Sequence, residues 1–407
     1  MTYEWLPHGS VTDPKGFTAA AAAAGIKVSG APDLALILCE KTATAAAVFT
    51  KNRVESDTVT VCRCHAADGS ARAFIDNSGN ANCCTPDGLA VAEGICAATA
   101  AALGLAPQDV LPASTGIIGE SLPLAPIEKA LPTLVRNLSA SGGIACAEAI
   151  MTTDTVPKHR ALTYTGPDGA TVTLGAIAKG SGMIHPNMGT MHALITTDTT
   201  ITAPLLKKAL CAAVDDSFNM ISIDGDTSTN DTVAIMASGL AKAPAITLED
   251  EAYRAFAEAL KTLCIALAKD IASDGEGASQ LLICHVFDAA STADARQVAK
   301  SVISSSLVKT AIYGGDANWG RIICACGYAG VPIDPAKIDI TVKSGAGFAT
   351  VCEKGRATGI SRREINYIFK QPPLTLEINL GQGKAEAEAY GCDLTERYVA
   401  INAEYEV

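Results

Sequence analysis

Lys179-Gly-Ser-Gly-Met-Ile-His-Pro-Asn-Met-Gly-Thr-Met-His-Ala-Leu-Ile-Thr-Thr-Asp198 is the stretch on which the reading of this chain turns. Ahead of Thr190 stand three glycines, a Pro and an Asn, residues that let a backbone turn tightly. Behind it, Met191–Ile195 is a mostly apolar run that reads as a buried strand. Thr190 therefore sits at a loop-to-strand boundary. A Thr hydroxyl is a weak nucleophile, but it is activated when the peptide before it is cut and the freed α-amine, with a pKa of about 7.7–8.0, serves as its base. Attack by the Thr190 hydroxyl on the Gly189–Thr190 bond would cut the chain and create that nucleophile in one step. The same residues also suit an ordinary strand entry, so the rest of the chain has to decide.

The composition fits a packed, globular protein: 407 residues, 48% hydrophobic and 18% charged. A formal net charge of −12 argues against nonspecific nucleic-acid binding, which needs basic patches to neutralise phosphates. No apolar run approaches the roughly 18 residues of a membrane span. The start, Met1-Thr-Tyr-Glu-Trp-Leu-Pro-His, lacks the basic and apolar regions of a signal peptide, and a cytoplasmic protein is expected. Of fourteen cysteines, Cys62/Cys64 and Cys324/Cys326 lie two apart and Cys83-Cys84 are adjacent, with no C-x-x-C pair. Two-apart residues on a strand share a face, so these read as reduced, buried side chains rather than zinc ligands.

Segments of helical and strand character alternate in both halves, which predicts an α/β protein. Strands are expected at Leu34–Cys39, Ala46–Phe49, Val110–Ser114, Thr171–Ala178, Met220–Ile223, Asp231–Met236 and Leu281–Phe287. Helices are expected at Pro86–Leu103, Ile127–Leu138, Ala203–Val214, Leu248–Ile271 and Ala293–Ser304. Thr375–Leu380 and Lys384–Cys392 read as a hairpin about Gly381-Gln-Gly383. Asp224-Gly-Asp-Thr-Ser-Thr-Asn-Asp231 is acidic, yet a calcium loop wants Gly at its sixth position and Glu at its twelfth, where Thr229 and Ile235 stand. No metal is expected.

Ser114-Thr115-Gly116-Ile-Ile-Gly119 follows a strand and can form a backbone nest for an oxyanion or a plain turn. With Lys179-to-Asp198, Asn77-Ser-Gly-Asn-Ala-Asn82, Met151-Thr-Thr-Asp-Thr155, Asp224-to-Asp231, Leu307-Val-Lys-Thr-Ala311, Asp316-Ala-Asn-Trp-Gly-Arg321 and Tyr398-Val-Ala-Ile-Asn402, it makes an ordered series along nearly the whole chain. This series resembles the ornithine acetyltransferase (ArgJ) family of arginine biosynthesis.

The resemblance implies a four-layer αββα sandwich around a central sheet pair, with an autocatalytically exposed N-terminal Thr. It implies an α chain of residues 1–189 and a β chain of residues 190–407, assembling as α2β2. The implied reaction is a ping-pong acetyl transfer from N2-acetyl-L-ornithine to L-glutamate through acetyl-Thr190. Thr115 and Gly116 would form the oxyanion hole, and Thr153, Lys179, Glu276 and Asn402 would contact substrate. For Lys179 the chemistry agrees, since a substrate carboxylate needs a cation, although a solvated loop lysine is the plainer reading. Glu276 also reads as a surface turn acid, and Asn402 as part of a fraying tail. Position 407, where the family has Thr or Ser touching substrate, is Val407; Gly189 replaces the usual Ala, and Ala317 the usual Pro. No cofactor is implied, with acetyl-CoA a possible co-substrate but, absent a phosphate-cradling loop, a poor donor at best. An N-terminal-nucleophile aminopeptidase or amidase of the same fold is the alternative.

Overall fold

The computed structural model describes residues 3–185 and 191–404. Gly189, Thr190 and Val407, and with them the 189/190 bond, lie outside the described residues. The strands are β1 (Tyr3–Trp5), β2 (Phe17–Ala22), β3 (Leu34–Phe49), β4 (Ser70–Asn80), β5 (Val110–Ile117), β6 (Lys158–Thr165), β7 (Thr171–Lys179), β8 (His192–Thr197), β9 (Ile221–Ser222), β10 (Thr232–Ala237), β11 (Leu281–Ala289), β12 (Asp339–Ser344), β13 (Gly347–Glu353), β14 (Arg356–Ala357), β15 (Leu374–Asn379) and β16 (Ala385–Cys392). The helices are α1 (Asp57–His65), α2 (Gly88–Leu103), α3 (Leu124–Arg136), α4 (Gly143–Ala149), α5 (Ala203–Asp215), α6 (Glu251–Ser273), α7 (Thr292–Ser304), α8 (Ser306–Gly314), α9 (Trp319–Gly327), α10 (Arg362–Phe369) and α11 (Glu396–Ala403).

Strand β3 organises the first sheet, whose order is β1-β6-β7-β8-β10-β3-β4-β5 with β2 also paired to β3. Its first half pairs with β2 and its second half with β10, and its register against β4 shifts between Leu38 and Ala43. Such an irregularity bends a strand and sharpens its twist. The two halves of the sheet consequently share one core, in which Ile37, Phe74 and Leu111 meet Ile177, Leu194 and Met236. Helices α2 and α3 cover one outer face, packing Ile95, Ile127 and Leu134 on Leu36, Ile75 and Val110. On the other, α5 and α6 set Leu210, Leu260 and Leu263 against Leu174, Ile195 and Ile235. Four layers αββα result. They are built from one folded-over sheet rather than the expected pair, because the segments read as Leu34–Cys39 and Ala46–Phe49 are one continuous strand.

A second sheet, ordered β14-β13-β12-β15-β11-β16-β9, lies beyond α6. That helix bridges the two: Arg160 on β6 binds Asp270 at 2.6 Å, while Lys269 lies 5.1 Å from the Tyr390 ring on β16. Strands β15 and β16 are not the expected hairpin. Strand β11 inserts between them, parallel to β15 and antiparallel to β16, because its buried Leu282, Cys284 and Val286 fill the sheet centre. The cysteine argument also needs correction, since Cys62/Cys64 and Cys324/Cys326 sit on helices α1 and α9. Residues two apart on a helix diverge, so Cys62 and Cys326 are buried and Cys64 and Cys324 exposed. Among the described residues, no helix is long and apolar enough to cross a membrane and no cluster is placed to hold a metal.

Candidate active site

Strands β7 and β8 are antiparallel neighbours, and Lys179, the last residue of β7, pairs with His192, the first of β8. Past Lys179 the chain leaves the sheet and is pinned by carboxylates. Asp154 accepts from Gly180 N at 2.7 Å, and Asp224 accepts from Met183 N at 2.6 Å and Ile184 N at 2.8 Å. Gly182 lies so close to Glu276 that a Cβ there would meet Oε1 at 2.1 Å. The acidic run around Asp224 thus anchors backbone N–H groups.

These elements enclose a cavity of about 700 Å³. Thr115, Gly116, Thr153, Lys179, Glu276 and Asn402, drawn from separate parts of the sequence, all line it, together with Met191 and His192. Gly116 has φ +136°, and a Cβ on it would meet the Gly79 carbonyl carbon at 2.2 Å, so the turn requires glycine. An amide network fixes that turn from behind: Ser114 Oγ donates to Asn77 at 2.6 Å, and Asn230 Nδ2 donates to the Ala81 and Ser114 carbonyls at 2.6 and 2.7 Å. The Asn-rich motif therefore serves to position Thr115 and Gly116.

Lys179 is neither a loop residue nor solvated, as its plainer reading had it. It ends a strand and is buried, and its ammonium donates to Thr115 Oγ1 at 3.5 Å. Burial lowers its pKa against the pull of nearby Asp154. Burial alone would raise the Asp154 carboxyl, but Lys179 and Lys158 beside it, with the Gly180 N–H, hold it at about 2. Lys158 contacts both Asp154 and Asp274 at 2.6 Å, with all three side chains largely buried.

Glu276 and Asn402 meet through the C-terminal segment. Helix α6 ends at Ser273, and Glu276 follows, its N–H donating to the Ser181 carbonyl at 2.9 Å. Asn402 lies on α11, which is capped by Thr395 and tied down by Thr395 Oγ1 donating to the Gly277 carbonyl at 2.7 Å. Its Nδ2 donates to Glu276 Oε2 at 2.7 Å. Asn402 is thus part of a docked helix, not of a frayed tail.

Sequence reasoning missed the Asp154–Lys158–Asp274 ion cluster behind Gly180 and two residues lining the cavity, Asp231 and His192, each with a buried polar atom, Oδ2 and Nε2, that has no partner among the described residues. Burial pushes the Asp231 carboxyl well above the usual carboxylate range. The signal for His192 was present, as the one polar residue in the run Met191–Ile195.

The likeness to known proteins runs nearly the whole length of the chain. The sequence profile of the ArgJ family matches residues 18–407. The arginine biosynthesis bifunctional protein ArgJ of Symbiobacterium thermophilum is 45% identical over 99% of each chain, and that of Thermosynechococcus vestitus is 44% identical over 98% of each. The crystal structure of ArgJ from Bacillus halodurans is 46% identical with a TM-score of 0.50, covering 52% of this chain and 98% of its own. With the profile spanning residues 18–407 and relatives matching over nearly their whole length, this chain belongs to the ArgJ family.

Proposed function

We propose that this protein moves an acetyl group from N2-acetyl-L-ornithine to L-glutamate by way of an acetyl-Thr190 ester. The observation that carries the reading is the convergence of Thr115, Gly116, Lys179, Glu276 and Asn402 on the cavity that Met191 also lines. Thr190 directly precedes Met191 in the sequence. In this reading the chain is cut between Gly189 and Thr190, the new α-amine accepts the hydroxyl proton, and Thr115–Gly116 holds the oxyanion. Ornithine leaves, and glutamate takes the acetyl group. Support for the cut comes from the Bacillus halodurans structure, whose chain aligns almost whole with only about half of this one. The two fragments, 1–189 and 190–407, assemble as α2β2.

Both substrates share an α-carboxylate, and the buried Lys179 cation is the partner proposed for it. Lys179→Ala should lower kcat/KM for acetylornithine and glutamate alike by about ten- to a hundred-fold, the worth of a charge-assisted hydrogen bond. Because burial lowers its pKa, Lys179 loses its charge below the ordinary lysine range, and kcat/KM should fall as pH rises through that lowered value. Normal kinetics for both substrates in Lys179→Met would remove the residue from the site.

A second reading, two donors, is favoured by the name "bifunctional" that the relatives carry. We expect acetyl-CoA to be the poorer donor, since its nucleotide must project past the α11 segment that brings Asn402 to the cavity. Initial rates of N-acetylglutamate formation from each donor, with and without residues 402–407, test this. Equal kcat/KM for the two donors overturns the single-donor reading, and full activity without the tail dismisses its role. Steady acetate release without an amine acceptor would mark an amidase instead.

A further inference from the structure

His192 lies on the inner face of the folded sheet and is only 1% exposed. Its Nδ1 lies 2.9 and 3.1 Å from the two oxygens of Asp76, a carboxylate on β4 that is itself fully buried. A carboxylate only accepts, so Nδ1 carries the hydrogen, and in the tautomer with Nε2 bare the ring presents a lone pair there. That Nε2 is buried and has no partner among the described residues, on a residue that lines the cavity. A buried acceptor left unmade costs stability, so an atom held this way awaits a donor.

The donor's position is set by Lys179. Directly paired residues on antiparallel strands point to the same side, with Cβ atoms about 4.5–5.5 Å apart, and Lys179 and His192 are such a pair. A cation and an acceptor carried side by side on one face of the sheet suit a carboxylate and a nitrogen borne on one carbon. Resting on the functional reading above, we propose that Lys179 and His192 form an α-amino-acid clamp. Lys179 takes the α-carboxylate, and His192 Nε2, oriented by Asp76, accepts a hydrogen from the α-nitrogen. It accepts equally from the ammonium of glutamate or ornithine and from the amide N–H of acetylornithine, which lets one site serve both half-reactions. His192 is then a specificity residue for the α-nitrogen.

Binding separates this role from a structural one. L-Glutamate and glutarate differ only in the α-nitrogen, and neither turns over without an acetyl donor. By calorimetry on the mature protein, His192→Leu should weaken L-glutamate by about ten-fold or more and leave glutarate unchanged. In wild-type protein, whatever the folding of that variant, the 15N resonance of His192 Nε2 should move on adding L-glutamate and stay on adding glutarate. Unchanged glutamate affinity, equal weakening of both ligands, or a resonance that answers to glutarate overturns the clamp. If the wild type transfers acetyl groups while His192→Leu binds glutamate normally, the clamp alone falls. Wild-type protein that binds neither glutamate nor ornithine removes the functional reading with it.

Discussion

Thr190→Ala should yield one unbroken chain of 41.7 kDa with no acetyltransferase activity, whereas the wild type should run as two fragments. Scaling that mass by 189/407 and 218/407 gives roughly 19 and 22 kDa. Alanine removes the hydroxyl that both cuts the chain and carries the acetyl group, so processing and catalysis should be lost together. Thr190→Ser keeps a hydroxyl and should cleave, more slowly. As far as Ile184 the backbone is held by hydrogen bonds, from Gly180 to Asp154, from Met183 and Ile184 to Asp224, and from Glu276 N to the Ser181 carbonyl. Intact mass spectrometry reads the result. A Thr190→Ala chain that still splits at 189/190 would mean that the hydroxyl is not the agent.

The sequence disclosed the alternation of helices and strands because periodicity is local, and it disclosed the site because the motifs are contiguous. Long helix α6 and strand β7 lie within a few residues of their expected bounds. What periodicity does not carry is partnership between segments. Nothing in Leu374–Asn379 or Ala385–Cys392 announces that β11 will part them, and nothing local to Leu34–Phe49 distinguishes two strands from one bent one. Charge pairing is equally long-range. Lys179 has no carboxylate beside it in sequence, yet folding buries it near Asp154, twenty-five positions away. Lys158 is four residues from Asp154 and 116 from Asp274. His192 was hidden for the same reason, because its partner Asp76 is 116 positions away.

That ion cluster sets the largest stability effect we expect. Asp154 and Asp274 are balanced by Lys158 and Lys179, and only Lys158 touches both acids. Lys158→Met keeps much of the side-chain volume but leaves buried carboxylate charge uncompensated, a change that costs about 3–5 kcal/mol in comparable buried pairs. The acid limb of stability should move too. Asp154 is held at about 2, below its unfolded value of 3.8, so its contribution is complete above the unfolded value and fades as pH falls from near 4 toward 2. Without Lys158 the carboxyl is less depressed, so acid has less of that contribution to remove, and the stability gap between Lys158→Met and wild type should narrow as pH falls from 7 to 4. Pairing Lys158→Met with Asp274→Asn removes one charge of each sign and should recover part of the loss, because the cluster is again neutral. Urea unfolding at pH 7 and pH 4 distinguishes these cases. A Lys158→Met protein as stable as wild type at both pH values, or a double variant weaker than the single one, would show that charge balance is not what holds Gly180 and the strand end beneath the cavity.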